Sequence, residues 1–206
     1  MILKVCGMRD PENIRQAAAL GIDWMGFIFY AGSPRWVMAN RPVPVLDTSS
    51  LKRVGVFVNA TPAEMMETAA RFRLDYLQLH GDETPDDCHA LQKRGYSLIK
   101  ALSIASEDDL RQTAAYEGRV DYFLFDTKCK GHGGSGRQFD WSLLDAYTGE
   151  TPFLLSGGIR PESVLAIRSI RHPRLAGLDL NSGFELAPGL KDIEKLKKFI
   201  HEIQNI

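Results

Sequence analysis

The chain has 206 residues, 44% of them hydrophobic and 25% charged, with 25 Lys and Arg against 26 Asp and Glu and a formal net charge of −1. That balance argues against a nucleic-acid-coating protein, which leans on a clustered basic field, and no apolar run approaches the roughly 18–20 residues that span a bilayer, so neither nucleic acid nor membrane is expected as a partner. Three cysteines at irregular spacing make no disulfide framework, and an N-terminus without a basic segment and a long apolar stretch carries no secretion signal, so a reduced, cytoplasmic, single-domain protein is expected.

Short apolar runs then alternate with polar segments of helical period. Residues 2–6 read as a first buried strand, and Asp10-Pro11-Glu12 opens a helix over 11–20 with proline at its first position. A second strand at 24–29 is followed by a stretch holding Pro34, Pro42 and Pro44, which leaves room for a loop and a short helical turn near 45–50. The third strand, 53–58, precedes Thr61-Pro62-Ala63-Glu64, a capping box for a helix over 62–72. A fourth strand at 76–79 leads through Thr84-Pro85-Asp86-Asp87 to a helix over 85–94. Strand 97–102 and the Ser106-Glu107-Asp108-Asp109 start of a helix over 107–116 follow, then strand 122–125 and a helix over 140–147. Strand 153–155, a helix over 161–169 begun by Arg160-Pro161-Glu162, strand 177–180 and a helix over 190–203 complete the chain.

Continuous rather than alternating hydrophobicity suits parallel strands covered on both faces. Eight strands alternating with about eight helices, with no break in composition, predict one (β/α)8 barrel domain over residues 1–206. The rival is a doubly wound open sheet, weakened because no Gly-rich fingerprint follows the first strand.

In such a barrel the C-terminal strand ends build the site. Those ends read Cys6-Gly7, Asn59, His80-Gly81, Asp126-Thr127, Ser156-Gly157-Gly158 and Asn181-Ser182-Gly183, with Arg35 in the loop after the second strand. Gly157, Gly158, Ser182 and Gly183 close strands seven and eight, where backbone N–H groups of this fold recurrently bind phosphate. Cys6 lies two residues beyond Lys4 on the same strand face, so a nearby ammonium could favour its thiolate as base or nucleophile. Asp126 closes an apolar strand and precedes 128–136, with four glycines in nine residues, which reads as a mobile lid. His80, Cys88 and His89, or Cys129 and His132, supply no tetrahedral set with zinc spacing, so no metal is expected.

These residues resemble a known family. Lys4–Met8, Gly26–Phe29 with Ser33-Pro34-Arg35, Val54–Asn59, Leu77–Gly81, Phe125-Asp126-Thr127, Gly133–Gly136 with Phe139-Asp140-Trp141, Ser156–Gly158 and Asn181–Glu185 are similar, in this order, to phosphoribosylanthranilate isomerase. The resemblance covers essentially the whole chain. It implies an Amadori rearrangement of N-(5-phosphoribosyl)anthranilate in tryptophan biosynthesis, without cofactor or metal. It further implies Cys6 as general base, Asp126 as general acid and Arg35 as the holder of the substrate carboxylate, with His80 and Asp179 near the substrate. For neutral pH the thiol has to titrate low, helped by Lys4, and the carboxyl high, helped by burial under the loop. Asn181 stands where many relatives carry a second serine, and Ser135 where threonine is usual. The partner is thus a small phosphorylated substrate, and a monomer is expected, with a homodimer as the alternative. The sister isomerase of histidine biosynthesis would show a duplicated half-barrel and an aspartate at the first strand end. A non-catalytic sugar-phosphate-binding barrel would have no use for Cys6 or Asp126, and a cysteine hydrolase would need His80 or His132 as partner without a supporting motif.

Overall fold

The computed structural model describes residues 1–38, 51–127 and 140–204. Eight parallel strands close in chain order into a barrel: β1 Ile2–Val5, β2 Trp24–Ile28, β3 Lys52–Phe57, β4 Tyr76–Leu79, β5 Ser97–Ile104, β6 Tyr122–Thr127, β7 Phe153–Leu155 and β8 Leu175–Leu180. Closure rests on β1 pairing with β8, Ile2 opposite Gly177 through Val5 opposite Leu180, which excludes the open sheet. The expected turn near 45–50 and the glycine-rich loop 128–136 lie outside the described residues.

Helix starts follow their local chemistry. Asp10 accepts from the N–H groups of Glu12 and Asn13 to begin α1, Pro11–Ala18. Thr61 and Thr84 form reciprocal capping boxes with Glu64 and Asp87 at α2, Pro62–Phe72, and α3, Pro85–Gln92. Later helices are shorter and tighter than their patterns predict. The segment expected as a helix over 107–116 is α4, Glu107–Leu110, continued by a 3₁₀ turn Arg111–Ala115, where Thr113 Oγ1 donates to the Leu110 carbonyl at 2.6 Å. That side-chain bond competes with the regular ladder. Trp141–Ala146 is wholly 3₁₀, and Pro161–Ser163 is a 3₁₀ turn before α5, Val164–Ser169. The last helix, α6 Ile193–Gln204, starts three residues later than the expected 190. Leu190–Lys191 instead forms β10, antiparallel to β9, Glu185–Ala187, across a Pro188-Gly189 turn with Gly189 at φ +80°.

Inside the barrel, Trp24, Val54, Ile99, Ala101, Leu124 and Leu154 form one buried cluster, separate from the larger shell between strands and helices. Its floor is aromatic. Trp24 stacks on Tyr76 with centroids 4.6 Å apart and meets Tyr122 edge-on at 5.1 Å. Each of these rings opens an even-numbered strand and follows an aspartate that bonds the preceding odd strand. Asp23, Asp75 and Asp121 accept from the N–H groups of Leu3, Arg53 and Leu98 at 2.7–2.8 Å. The N-terminal end is thereby sealed, and the open end of the barrel is the other one. Trp24→Ala is expected to cost about 3–5 kcal/mol, the range for a buried aromatic truncation, in urea unfolding; a loss under about 1 kcal/mol would show that the floor does not hold the barrel.

Candidate active site

Above the aromatic floor the interior turns polar. Lys4 Nζ donates to Asp179 Oδ1 at 2.8 Å across the β1–β8 seam, with side-chain exposures of 0% and 5%. Ser156, past the end of β7, donates its hydroxyl to Asp179 Oδ2 at 3.4 Å. Cys6 follows Lys4 on the same face of the first strand, and its N–H donates to the Leu180 carbonyl at 2.9 Å. The thiol fills a space that β2 leaves open, since a Cβ built on Gly26 would lie 2.6 Å from Cys6 Sγ. A glycine inside a strand here marks close approach by the Cys6 side chain.

Burial pushes the Cys6 thiol above its ordinary pKa; Lys4 and Lys191 pull it back, while Asp179 adds to the rise. Lys4 lowers the thiol as expected, but burial outweighs it, so the low-titrating thiol that was expected is not found in the free protein. Burial likewise works against the Lys4 ammonium, but Asp179 and Cys6 outweigh it and its pKa ends above the usual lysine value.

Asp126 belongs to β6 itself, and its carboxylate faces His80 just past β4. His80 Nε2 lies 3.6 Å from Asp126 Oδ2, with side-chain exposures of 20% and 15%. The other ring nitrogen, Nδ1, is 2.9 Å from Gln78 Nε2, which fixes the ring's orientation. Arg35 reaches a different partner. Its Nε donates to both oxygens of Glu185 at 2.9 and 3.1 Å, and its Nη2 to Oε2 at 2.6 Å.

The loops after β7 and β8 meet at their backbones. Gly157 and Gly158 have φ of +77° and +72°, a left-handed pair that other residues rarely adopt. A Cβ on Gly183 would fall 2.2 Å from the Ile159 carbonyl oxygen, so only glycine lets the two loops touch. Consecutive free N–H groups in such a corner can hold an anion.

The family model for N-(5'phosphoribosyl)anthranilate (PRA) isomerase matches residues 3–202. The chain belongs to the phosphoribosylanthranilate isomerase family. It is 65% identical to N-(5'-phosphoribosyl)anthranilate isomerase of Parabacteroides distasonis, over 98% of this chain and 93% of that one. Among solved structures it is similar to phosphoribosyl anthranilate isomerase of Thermotoga maritima, at 33% identity, a TM-score of 0.83 and full coverage of both chains. It is also similar to a phosphoribosyl anthranilate isomerase in complex with reduced 1-(o-carboxyphenylamino)-1-deoxyribulose 5-phosphate, at 30% identity, a TM-score of 0.80 and full coverage of both.

In this member of the isomerase family the residues singled out by sequence fall into four groups around one barrel mouth. Cys6 and Asp179 share the buried layer with Lys4; Asp126 and His80 face one another; and the glycine loops adjoin at Ile159. Arg35 stands with Glu185. Sequence reasoning gave no role to Gly26, Glu185 or Lys191. Gly26 was detectable as a lone glycine in an apolar strand, and the hairpin carrying Glu185 and Lys191 as a Pro-Gly turn. Asp179→Asn should remove one of the charges that hold the thiol up and leave Lys4 facing it, so Cys6 should ionise at lower pH. Thiolate ultraviolet absorbance, taken as the difference from the Cys6→Ser protein, reads this directly. Cys88, pushed up to about 11 by burial, cancels in the difference. An unmoved titration would mean that Asp179 does not act on the thiol.

Proposed function

We propose that this protein isomerises N-(5-phosphoribosyl)anthranilate to 1-(2-carboxyphenylamino)-1-deoxyribulose 5-phosphate, an Amadori rearrangement in tryptophan biosynthesis. The observation that carries the reading is the family match over residues 3–202 together with a thiol and a carboxyl at the mouth of one closed barrel. Asp126 donates its proton to the ribose ring oxygen as the bond from that oxygen to C1 breaks, and the nitrogen lone pair forms the C1=N bond. The Cys6 thiolate then removes the C2 proton, the C2–H electrons form the C1–C2 double bond of an enolamine, and the C1=N electrons return to nitrogen. Reprotonation at C1 with loss of the C2 hydroxyl proton gives the ketone.

The strand order supports two groups acting from different sides of the sugar, since β7 and β8 stand between β6 and the first strand. The corner formed by Gly157, Gly158, Ser182 and Gly183 takes the phosphate, and Arg35 takes the carboxylate, for which its planar fork is suited. The ligand named in the solved relative's complex carries both of these anionic groups, which fits two separated anion sites. His80 orients Asp126 and touches the substrate side of it, and Asp179 acts beneath Cys6. All of these groups come from one chain, so the chemistry is complete in a monomer. Among the described residues no helix is long and apolar enough to cross a membrane. A substrate bearing a phosphate and a carboxylate is confined by membranes, and we place the enzyme in the cytoplasm with it.

Loss of anthranilate-type fluorescence on mixing with the aminoaldose tests the reaction, and its persistence would remove the assignment. Cys6→Ser and Asp126→Asn should each lower kcat by at least the ~10²–10⁴-fold of one general acid or base, with binding of a reduced product analogue retained. Because the thiol sits above its ordinary pKa in the free enzyme, kcat/KM should climb with pH through neutrality and onward. The base works only when deprotonated, so a fall in that range would exclude Cys6. Arg35→Ala should raise KM more than it lowers kcat, because the carboxylate is remote from both proton transfers and its binding is shared by ground and transition states. A large fall in kcat at unchanged KM would show that Arg35 does something else.

A further inference from the structure

The hairpin β9–β10 exposes its outer face and buries its inner one. Leu186 is 66% exposed, while the side chains of Glu185 and Lys191 are 5% and 0% exposed. Two leucines on the solvent side and two charges on the buried side reverse the usual pattern, so the buried charges need a reason.

Their contacts supply one. The Glu185 carboxylate accepts from Arg35 along the Nε–Nη2 edge, from Lys191 Nζ at 2.6 Å and from the Gly189 N–H at 3.1 Å. Lys191 is held at both ends. Its ammonium also donates to Asn181 Oδ1 at 2.7 Å. Its backbone is clamped by buried Asn13, which accepts from the Lys191 N–H at 2.7 Å and donates to the Lys191 carbonyl at 2.9 Å. The group presses directly on the end of β1, since a Cβ on Gly7 would lie 2.8 Å from Arg35 Cδ and 2.9 Å from Asn181 Oδ1. A carboxylate held from three directions is a fixture, and an arriving anion does not displace it.

We infer that Glu185 and Lys191 are positioning residues for substrate recognition: Glu185 locks the Arg35 guanidinium by one edge, Lys191 locks Glu185, and the remaining Nη1 side is left to a single carboxylate. Charge agrees with geometry. Two cations against one carboxylate leave one positive charge in this buried group, which one carboxylate neutralises. Among the described residues Nη1 has no hydrogen-bond partner, and the Arg35 side chain keeps 10% of its surface exposed. Burial opposes the ionised form of Glu185, yet Arg35 and Lys191 hold its pKa below the ordinary carboxylate value, so it is charged throughout the working range. Asn181 takes part by accepting from Lys191.

This rests on the reading that the substrate carries a carboxylate next to Arg35, and the test separates the two. Two aminoaldose phosphates are compared, one built on anthranilate and one on aniline, which lacks the carboxylate. Glu185→Gln should raise KM for the anthranilate compound roughly 10–100-fold, the range for a mispositioned charge-assisted bond, with kcat little changed. The aniline compound should lose nothing in kcat/KM, and Arg35→Ala/Glu185→Gln should be no worse than Arg35→Ala alone. If Glu185 acted only through its charge, removing it would lower KM, which overturns the proposal. Equal loss on both compounds means a merely structural role and overturns it as well. Lys191→Met carries the same comparison should Glu185→Gln fail to fold. Failure of the unaltered enzyme to convert either compound removes the reading beneath the proposal, whereas conversion of both with unselective variants removes the proposal alone.

Discussion

A fully buried ammonium has to be neutralised where it sits, and in this barrel that requirement falls on the joint between the first and last strands. Lys4 and Asp179 stand opposite one another in the β1–β8 register and are bonded at 2.8 Å. A one-residue slip of β1 against β8 would turn Lys4 out of the barrel and away from Asp179, since inward and outward positions alternate. Removing one partner would leave the other charge uncompensated, at about 3–5 kcal/mol in comparable cases. The ion pair thus selects one register of closure. The same Asp179 also raises the Cys6 thiol, so closure and the charge balance around Cys6 share one carboxylate.

The two ends of the barrel are built by different physics. At the N-terminal end, Asp23, Asp75 and Asp121 bond neighbouring strands while Trp24, Tyr76 and Tyr122 fill the interior, and nothing there needs a ligand. At the C-terminal end, paired charges replace rings, and glycines replace side chains wherever backbone or thiol has to come close. Gly26 and Gly183 each trade packing for access, one to the Cys6 sulfur and one to the Ile159 carbonyl. Aromatic packing closes one end, and the desolvated charges gather towards the other.

What was legible in the sequence follows from what is local. Continuous apolar runs marked all eight strands, and the Asp10, Thr61 and Thr84 starts matched their helices because a cap is decided within four residues. Helix length was less legible, because the Thr113 hydroxyl and the 3₁₀ geometry after Leu110 override propensity. Cys6, Asp126 and the glycine pairs could be picked out from strand-end position alone. Their partners could not. Lys4 finds Asp179 across 175 positions and Arg35 finds Glu185 across 150, and no spacing rule reports such a pair before the barrel has closed. The thiol was legible only in part: two residues of separation placed Lys4 where it does lower Cys6, but the burial that outweighs it is made by the closed barrel.

The raised thiol bears on how the chemistry is timed. A base gains strength with its pKa but loses population of the deprotonated form when that pKa exceeds the ambient pH, and for a thiol strength grows with only about half the slope at which population falls. If it acts as proposed, a buried Cys6 is therefore a poor base in the empty enzyme. In the proposed reaction ring opening changes its surroundings, because protonation of the ring oxygen and cleavage of its bond to C1 turn the aminoaldose into a cationic imine whose C1=N unit is bonded directly to C2. That charge acidifies C2–H and favours the neighbouring thiolate at the same moment. In the proposed mechanism the intermediate adds its cation to those of Lys4 and Lys191, so proton removal by Cys6 would follow proton donation by Asp126.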